Sequence, residues 1–225
     1  MMKKGRVKIS IILLLLIILI GAFSFINFTK IGFLMEWNNT YTPQTTIKEI
    51  DDEFMSKLIE AAINRTEQNV RYDPAYLQID YPMGDVPANT GVCTDVVIRS
   101  YRQLGIDLQE KVYEDMKDNF NEYPNLWRLT APDTNIDHRR VPNLMVFFKR
   151  YGEVLPITKI LNDYLPGDLV TWDLGSGKTH IGIITNRISN NSNQPLIVHN
   201  IGTGPKLEDI LFKWKITGHF RYYGK

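Results

Sequence analysis

The chain changes texture at Gly152, and that change limits what it can fold into. Before it, apolar residues recur at helical spacing. Ile50, Phe54, Leu58 and Ala61/Ala62 do so over residues 49–64. Leu108, Val112, Met116 and Phe120 mark another helix, and Leu144, Phe147, Phe148 and Tyr151 a further one. One more is expected from Cys93 to about Leu104, stopped by Gly105. Residues 70–92, broken by Pro74, Pro82, Gly84, Pro87 and Gly91, read as mostly loop or short extended pieces. After Gly152, residues 168–172, 180–185, 196–201 and 216–223 are short β-rich runs parted by turn-forming stretches. Helices first and consecutive strands afterwards predict an α+β fold with a small antiparallel sheet.

The first thirty residues stand apart from this pattern. Lys3, Lys4, Arg6 and Lys8 precede an apolar run over residues 9–28 that carries no charge and is about as long as a bilayer-spanning helix. The basic flank predicts a cytoplasmic N-terminus and an exported body. An uncleaved anchor is preferred over a cleaved signal peptide, because Ala22-Phe23-Ser24 is a poor cleavage site. The expected organisation is an anchor over residues 1–30, a polar linker over 31–48 and one domain over 49–225. The five basic residues before position 31 leave 21 basic against 25 acidic residues in the remainder. A mildly acidic body has no electrostatic footprint for nucleic acid.

Cys93 is the single cysteine, so no intrachain disulfide can form. It sits in Thr90-Gly91-Val92-Cys93-Thr94-Asp95, at the predicted start of a helix. There the helix dipole and unpaired backbone N–H groups favour a thiolate and could hold an oxyanion. Gly91 is expected to let a substrate backbone approach. The ordinary alternative is a small buried hydrophobe.

Partners for the thiol lie in the strands. If residues 180–185 and 196–201 form a hairpin closed at Thr185 and Leu196, Gly182 faces His199, and His180 and His199 become diagonal neighbours on one face. A base oriented by a third polar group is the general pattern for an activated nucleophile. A slip of one residue would put Asn200 in that third place. Two structurally bonded histidines are the alternative.

Several motifs together resemble one bacterial family known only as a domain of unknown function and grouped with the papain-like peptidases. They are Arg71-Tyr72-Asp73-Pro74, Gly84-Asp85-Val86-Pro87, Gly91-Val92-Cys93-Thr94-Asp95-Val96-Val97, residues 135–144, Pro166-Gly167-Asp168, His180-Ile181-Gly182-Ile183 and Val198-His199-Asn200-Ile201-Gly202. The resemblance covers roughly residues 50–225. Their order, with cysteine at a helix start and histidines on successive strands, is similar to NlpC-type and CHAP-type cell-wall hydrolases. The resemblance implies an NlpC-type fold with Cys93 as nucleophile, His180 as base and His199 as the orienting residue. Gly91 and Thr94 would support the nucleophile. Val92 departs from the Asp usual before an NlpC-type cysteine. The implied activity is amide hydrolysis, with peptidoglycan stem peptides as substrate by analogy.

Tyr81, Asp95, His138, Arg139 and Asn200 are candidate substrate contacts, although Asp95 lies two residues past Cys93 and should point elsewhere on the helix. The cluster Asp137-His138-Arg139-Arg140 could bind a substrate carboxylate or serve as a structural ion pair. Gly175-Ser176-Gly177-Lys178-Thr179 resembles the end of a phosphate-binding loop, but a strand follows it, so it reads as a hairpin turn. No cofactor is expected. None of the four histidines stands in a paired-ligand motif, so no metal site is expected either. Two other classes stay open: a non-catalytic membrane-anchored binding domain on the same fold, and an acyltransferase or transpeptidase using the same thioester.

Overall fold

The computed structural model describes residues 52–225. The expected anchor, the linker and the first residues of the expected domain lie outside that range. Among the described residues no helix is long and apolar enough to cross a membrane.

Four helices and a six-stranded antiparallel sheet make up the α+β fold. Helix α1 (Glu53–Arg65) starts where the Asp52 carboxylate accepts hydrogen bonds from Phe54 N at 3.0 Å and Met55 N at 3.3 Å. That satisfies two of the amides that a helix start leaves without partners. Helix α2 (Cys93–Gln103) follows a short parallel pair, β1 (Arg71–Tyr72) with β2 (Thr90–Gly91). Val92 has no side-chain acceptor, so the start of α2 is held from inside by Asp95, whose Oδ2 accepts from Val92 N at 2.6 Å. Helix α3 (Leu108–Asn119) is capped by Asp107. Helix α4 (Val141–Tyr151) begins three residues before its first expected apolar position, with Pro142 in the first turn where a missing N–H costs nothing.

The sheet contains β3 (Glu153–Val154), β4 (Leu169–Asp173), β5 (Thr179–Ile188), β6 (Pro195–Asn200), β7 (Pro205–Glu208) and β8 (Lys215–Arg221), in the order β3-β8-β4-β5-β6-β7. β3 and β7 were not expected from the sequence. Both are edge strands of four residues or fewer, too short to display a period. The β4–β5 hairpin turns through Gly175, Ser176 and Gly177, all at positive φ, which settles the glycine-rich stretch as a turn.

Alternation along the strands sends residues to two cores. Leu169, Ile181, Ile183, Val198 and Phe220 pack under the helices against Val96, Val97, Tyr101 and Phe148. Val170, Trp172, Ile184, Ile197 and Ile216 pack on the opposite face with Tyr164, Ile210 and Leu211. Both faces are therefore covered, and the hairpin registers decide which face every polar residue of β5 and β6 joins.

Candidate active site

Strand β5 carries the site because its register leaves no choice of face. Ile183 pairs with Val198 and Ile184 with Ile197, the register expected for a hairpin closed at Thr185 and Leu196. The recorded pairing of β5 with β6 stops at Ile183. Beyond it Gly182 comes opposite His199, and a Cβ on Gly182 would lie 2.7 Å from Ile197 Cγ2 and 3.2 Å from His199 Cβ. Glycine here makes room for the imidazoles.

His180 stands opposite Trp172 in the β4–β5 pair, on the face away from the helices. Its Nε2 lies 3.0 Å from His199 Nδ1, and the two rings meet edge to face. His199 Nε2 in turn lies 2.9 Å from Glu208 Oε2 on β7. The result is a linear chain, His180–His199–Glu208. His180 Nδ1 has no protein partner among the described residues, yet it is not one of the unpaired polar atoms sealed from solvent. It is the open end of the chain. Burial, and then the neighbouring His199, push His180 down to about 3. Burial also lowers His199 against the pull of Glu208. Both rings are neutral at pH 7.

Cys93 approaches the same strand from the helical face. It is 6% exposed and packs with Val96, Val97 and Ile181, at the rim of an open cleft of about 400 Å³. Tyr72, Pro74, Tyr76, Trp127, Arg140 and Thr179 contribute walls to that cleft. Burial pushes the thiol up to about 11, while the backbone N–H groups of Ile181, Thr94 and Cys93 itself pull the other way. The expectation that the helix start would favour a thiolate is corrected: desolvation outweighs three amides, and the resting group is a neutral thiol. Cys93 packs beside Ile181, the residue after His180, and no hydrogen bond joins sulfur to imidazole.

The remaining candidates divide by what they touch. Asp95 and Arg139 form a buried, two-bond ion pair, Nε–Oδ1 at 2.8 Å and Nη2–Oδ2 at 2.9 Å. Thr94 Oγ1 donates to Arg139 O at 3.0 Å. These bonds lock the start of α2 to the short 3₁₀ turn Asp137–Arg139. The Asp95 carboxylate and the Thr94 hydroxyl are thus occupied by the protein itself, and Arg139 turns its guanidinium to Asp95 while its residue borders the cleft. Gly91 is buried, and a Cβ there would press on Asp95 at 3.2 Å and Arg99 Nη1 at 3.4 Å. Its bareness serves this packing rather than a substrate backbone.

His138 is buried with Nδ1 unpaired and, chiefly through burial, is pushed down to about 4. Tyr81 donates to Glu114 at 2.9 Å and packs on Tyr113, and neither it nor His138 contributes to the walls of the Cys93 cleft. Asn200 faces the helices, where Nδ2 donates to Gly91 O at 3.2 Å. His199, not Asn200, meets His180. Sequence reasoning did not find Glu208, Tyr72, Tyr76 or Trp127. Glu208 sits on an unrecognised edge strand, and the aromatic walls lie in stretches without periodicity. Among the described residues no group of three His, Cys, Asp or Glu side chains is arranged to hold a metal ion.

The chain is 46% identical over 180 residues to an Escherichia coli (strain K12) protein named Uncharacterized protein YijF, an alignment covering 80% of this chain and 87% of that one. A family model described as a domain of unknown function, DUF1287, matches residues 59–222, and the chain belongs to that family.

Proposed function

We propose that this is an exported cysteine hydrolase of papain-like, NlpC-type descent, cleaving amide bonds in cell-wall peptides. One observation carries the reading. A cleft-lining thiol docks on β5 one residue from an imidazole that is backed by a second imidazole and keeps Nδ1 open. The helix-start cysteine and the histidines on successive strands support the papain-like assignment. The charge-free run over residues 9–28 supports a membrane anchor with the domain outside the cytoplasm.

In this reading the resting pair is neutral, so the thiol proton leaves only as the sulfur attacks. The reading requires the S–H of Cys93, which meets β5 from the helical face, to reach the open Nδ1 of His180. The sulfur bonds to the amide carbon, the proton passes to Nδ1, and the carbonyl electrons move to oxygen. Backbone N–H groups of Cys93 and Thr94, at the start of α2, would share that charge. The C–N bond then breaks as His180 returns the proton to the leaving amine. Water, deprotonated by His180, hydrolyses the thioester. An amine in place of water would make the same site a transpeptidase.

The burial of the thiol favours a second reading, a binding domain that keeps the cleft and uses no nucleophile. Full-length protein and Cys93→Ala, each incubated with defined stem-peptide fragments, decide between them by mass spectrometry. Fragment cleavage by wild type alone is the expected result. Equal products from both proteins would remove Cys93 as nucleophile, and binding of intact fragments without cleavage would establish the second reading.

A further inference from the structure

The polarity of the His180–His199 pair is not set by the two rings themselves. Two neutral imidazoles joined by one hydrogen bond have two equivalent arrangements, with the proton on either of the facing nitrogens. Only one of them leaves His180 Nδ1 bare. In the other, Nδ1 carries the proton and cannot accept another.

We propose that Glu208 is the positioning residue that removes this ambiguity, fixing both imidazoles as Nε2–H tautomers and leaving His180 Nδ1 as the unprotonated end of the chain. The catalytic consequence rests on the hydrolase reading above, whereas the tautomer assignment does not. The argument runs inward from the carboxylate. Glu208 Oε2 is 2.9 Å from His199 Nε2, and a carboxylate only accepts, so that nitrogen carries hydrogen. His199 is held neutral by burial, and Lys213 and Lys206 also oppose a positive charge on it. Its Nδ1 therefore presents a lone pair. The 3.0 Å contact then requires His180 Nε2 to donate. His180 is neutral too, so Nδ1 is left without hydrogen.

The fold makes this reach systematic. β7 pairs antiparallel with β6 so that Glu208 stands opposite Ile197 and Lys206 opposite His199. Glu208 is the diagonal neighbour of His199 on the same face, the spacing at which long side chains meet across a ladder. Leu207 turns to the opposite face and packs under the helices, which pins the strand while Glu208 stays 40% exposed at the rim. When Nδ1 takes a proton, the two donated hydrogen bonds connect the resulting imidazolium to that carboxylate.

The test uses the full-length protein uniformly labelled with ¹⁵N-histidine, read at neutral pH by long-range ¹⁵N–¹H correlation, beside iodoacetamide alkylation of Cys93. Wild type is expected to give the Nε2–H pattern at both His180 and His199. Glu208→Ala is expected to convert either ring to the other tautomer or to a mixture. Glu208→Gln, whose amide oxygen still accepts, restores the wild-type pattern. An unchanged pattern in Glu208→Ala overturns the proposal, as does a Glu208→Gln spectrum that matches Glu208→Ala. Thermal unfolding of Glu208→Ala near the wild-type midpoint separates a tautomer effect from loss of structure. Alkylation is expected to slow several-fold in Glu208→Ala and recover in Glu208→Gln. Tautomers that change while alkylation does not would uphold Glu208 and sink the hydrolase reading instead.

Discussion

Two buried histidines on one sheet invite comparison. His219 on β8 has both ring nitrogens engaged, Nδ1 with Pro156 O and Nε2 with Asp168 Oδ2, each at 2.9 Å. Asp168 also accepts from Leu165 N and Arg221. Every polar atom of that cluster points at a neighbour, and its job is to tie β8 to the approach of β4. His180 has one nitrogen engaged and one open. Saturation marks a group spent on architecture, and an imidazole with one unpartnered nitrogen, next in sequence to the cleft residue Thr179, is the one the proposed chemistry uses.

Four perturbations would break or sharpen this contrast. Asp168→Ala should be the most damaging, because it strands the Arg221 guanidinium and unpairs His219. Loss of one partner from such a buried charge network costs about 3–5 kcal/mol, readable by urea unfolding. Gly182→Ala should cost about 1–3 kcal/mol by overpacking against Ile197 and His199. It should also move the two imidazole signals in the NMR spectrum while sparing those of His219. His180→Asn should cost about 1–3 kcal/mol, because the buried His199 Nδ1 loses its partner, and yet abolish turnover of any amide substrate. A large stability loss without loss of turnover would reverse the assignment of roles.

The last expected effect, on the pH profile, is absent at neutral pH and grows only on acidification. Burial holds His180 down to about 3 and His138 down to about 4, against an ordinary value of 6.5. Between 6.5 and these values the unfolded chain binds protons that the folded one refuses. Stability contributed by these rings is thus full above 6.5 and falls as pH is lowered toward 4. Replacing His138 with Asn should flatten the slope of unfolding free energy across that window, and an unchanged slope would show that His138 is not buried as described.

Helices α1, α2 and α4 were legible in the sequence because an apolar period marks each, acidic first-turn residues open α1 and α2, and a glycine follows α2 and α4. The β5–β6 register was legible as well, since only one closure buries Ile183 and Val198 while pairing Gly182 with His199. Residue types alone could not distinguish a polar group aimed at substrate from one used up inside. Asp95, Arg139 and Thr94 were candidates for substrate contact or support of the nucleophile, but they bond to one another across 44 and 45 positions of chain, and Arg139 alone of the three also borders the cleft. Tyr81 is likewise bonded within the protein, to Glu114, whereas His138 is buried away from the cleft with Nδ1 unpaired. Glu208 escaped because Pro205-Lys206-Leu207-Glu208 offers only two apolar positions, and its meaning depends on the pairing that sets it opposite Ile197 and within reach of His199.

The bond from Asn200 Nδ2 to Gly91 O has a mechanical consequence. One amide clasps the segment leading into Cys93 to the strand that bears His199. The sulfur and the imidazole pair therefore belong to a common frame, although they reach β5 from different sides. A change at position 200 would alter the gap between thiol and ring while touching neither, so that the reach of the sulfur is gauged by a side chain that takes no part in moving protons.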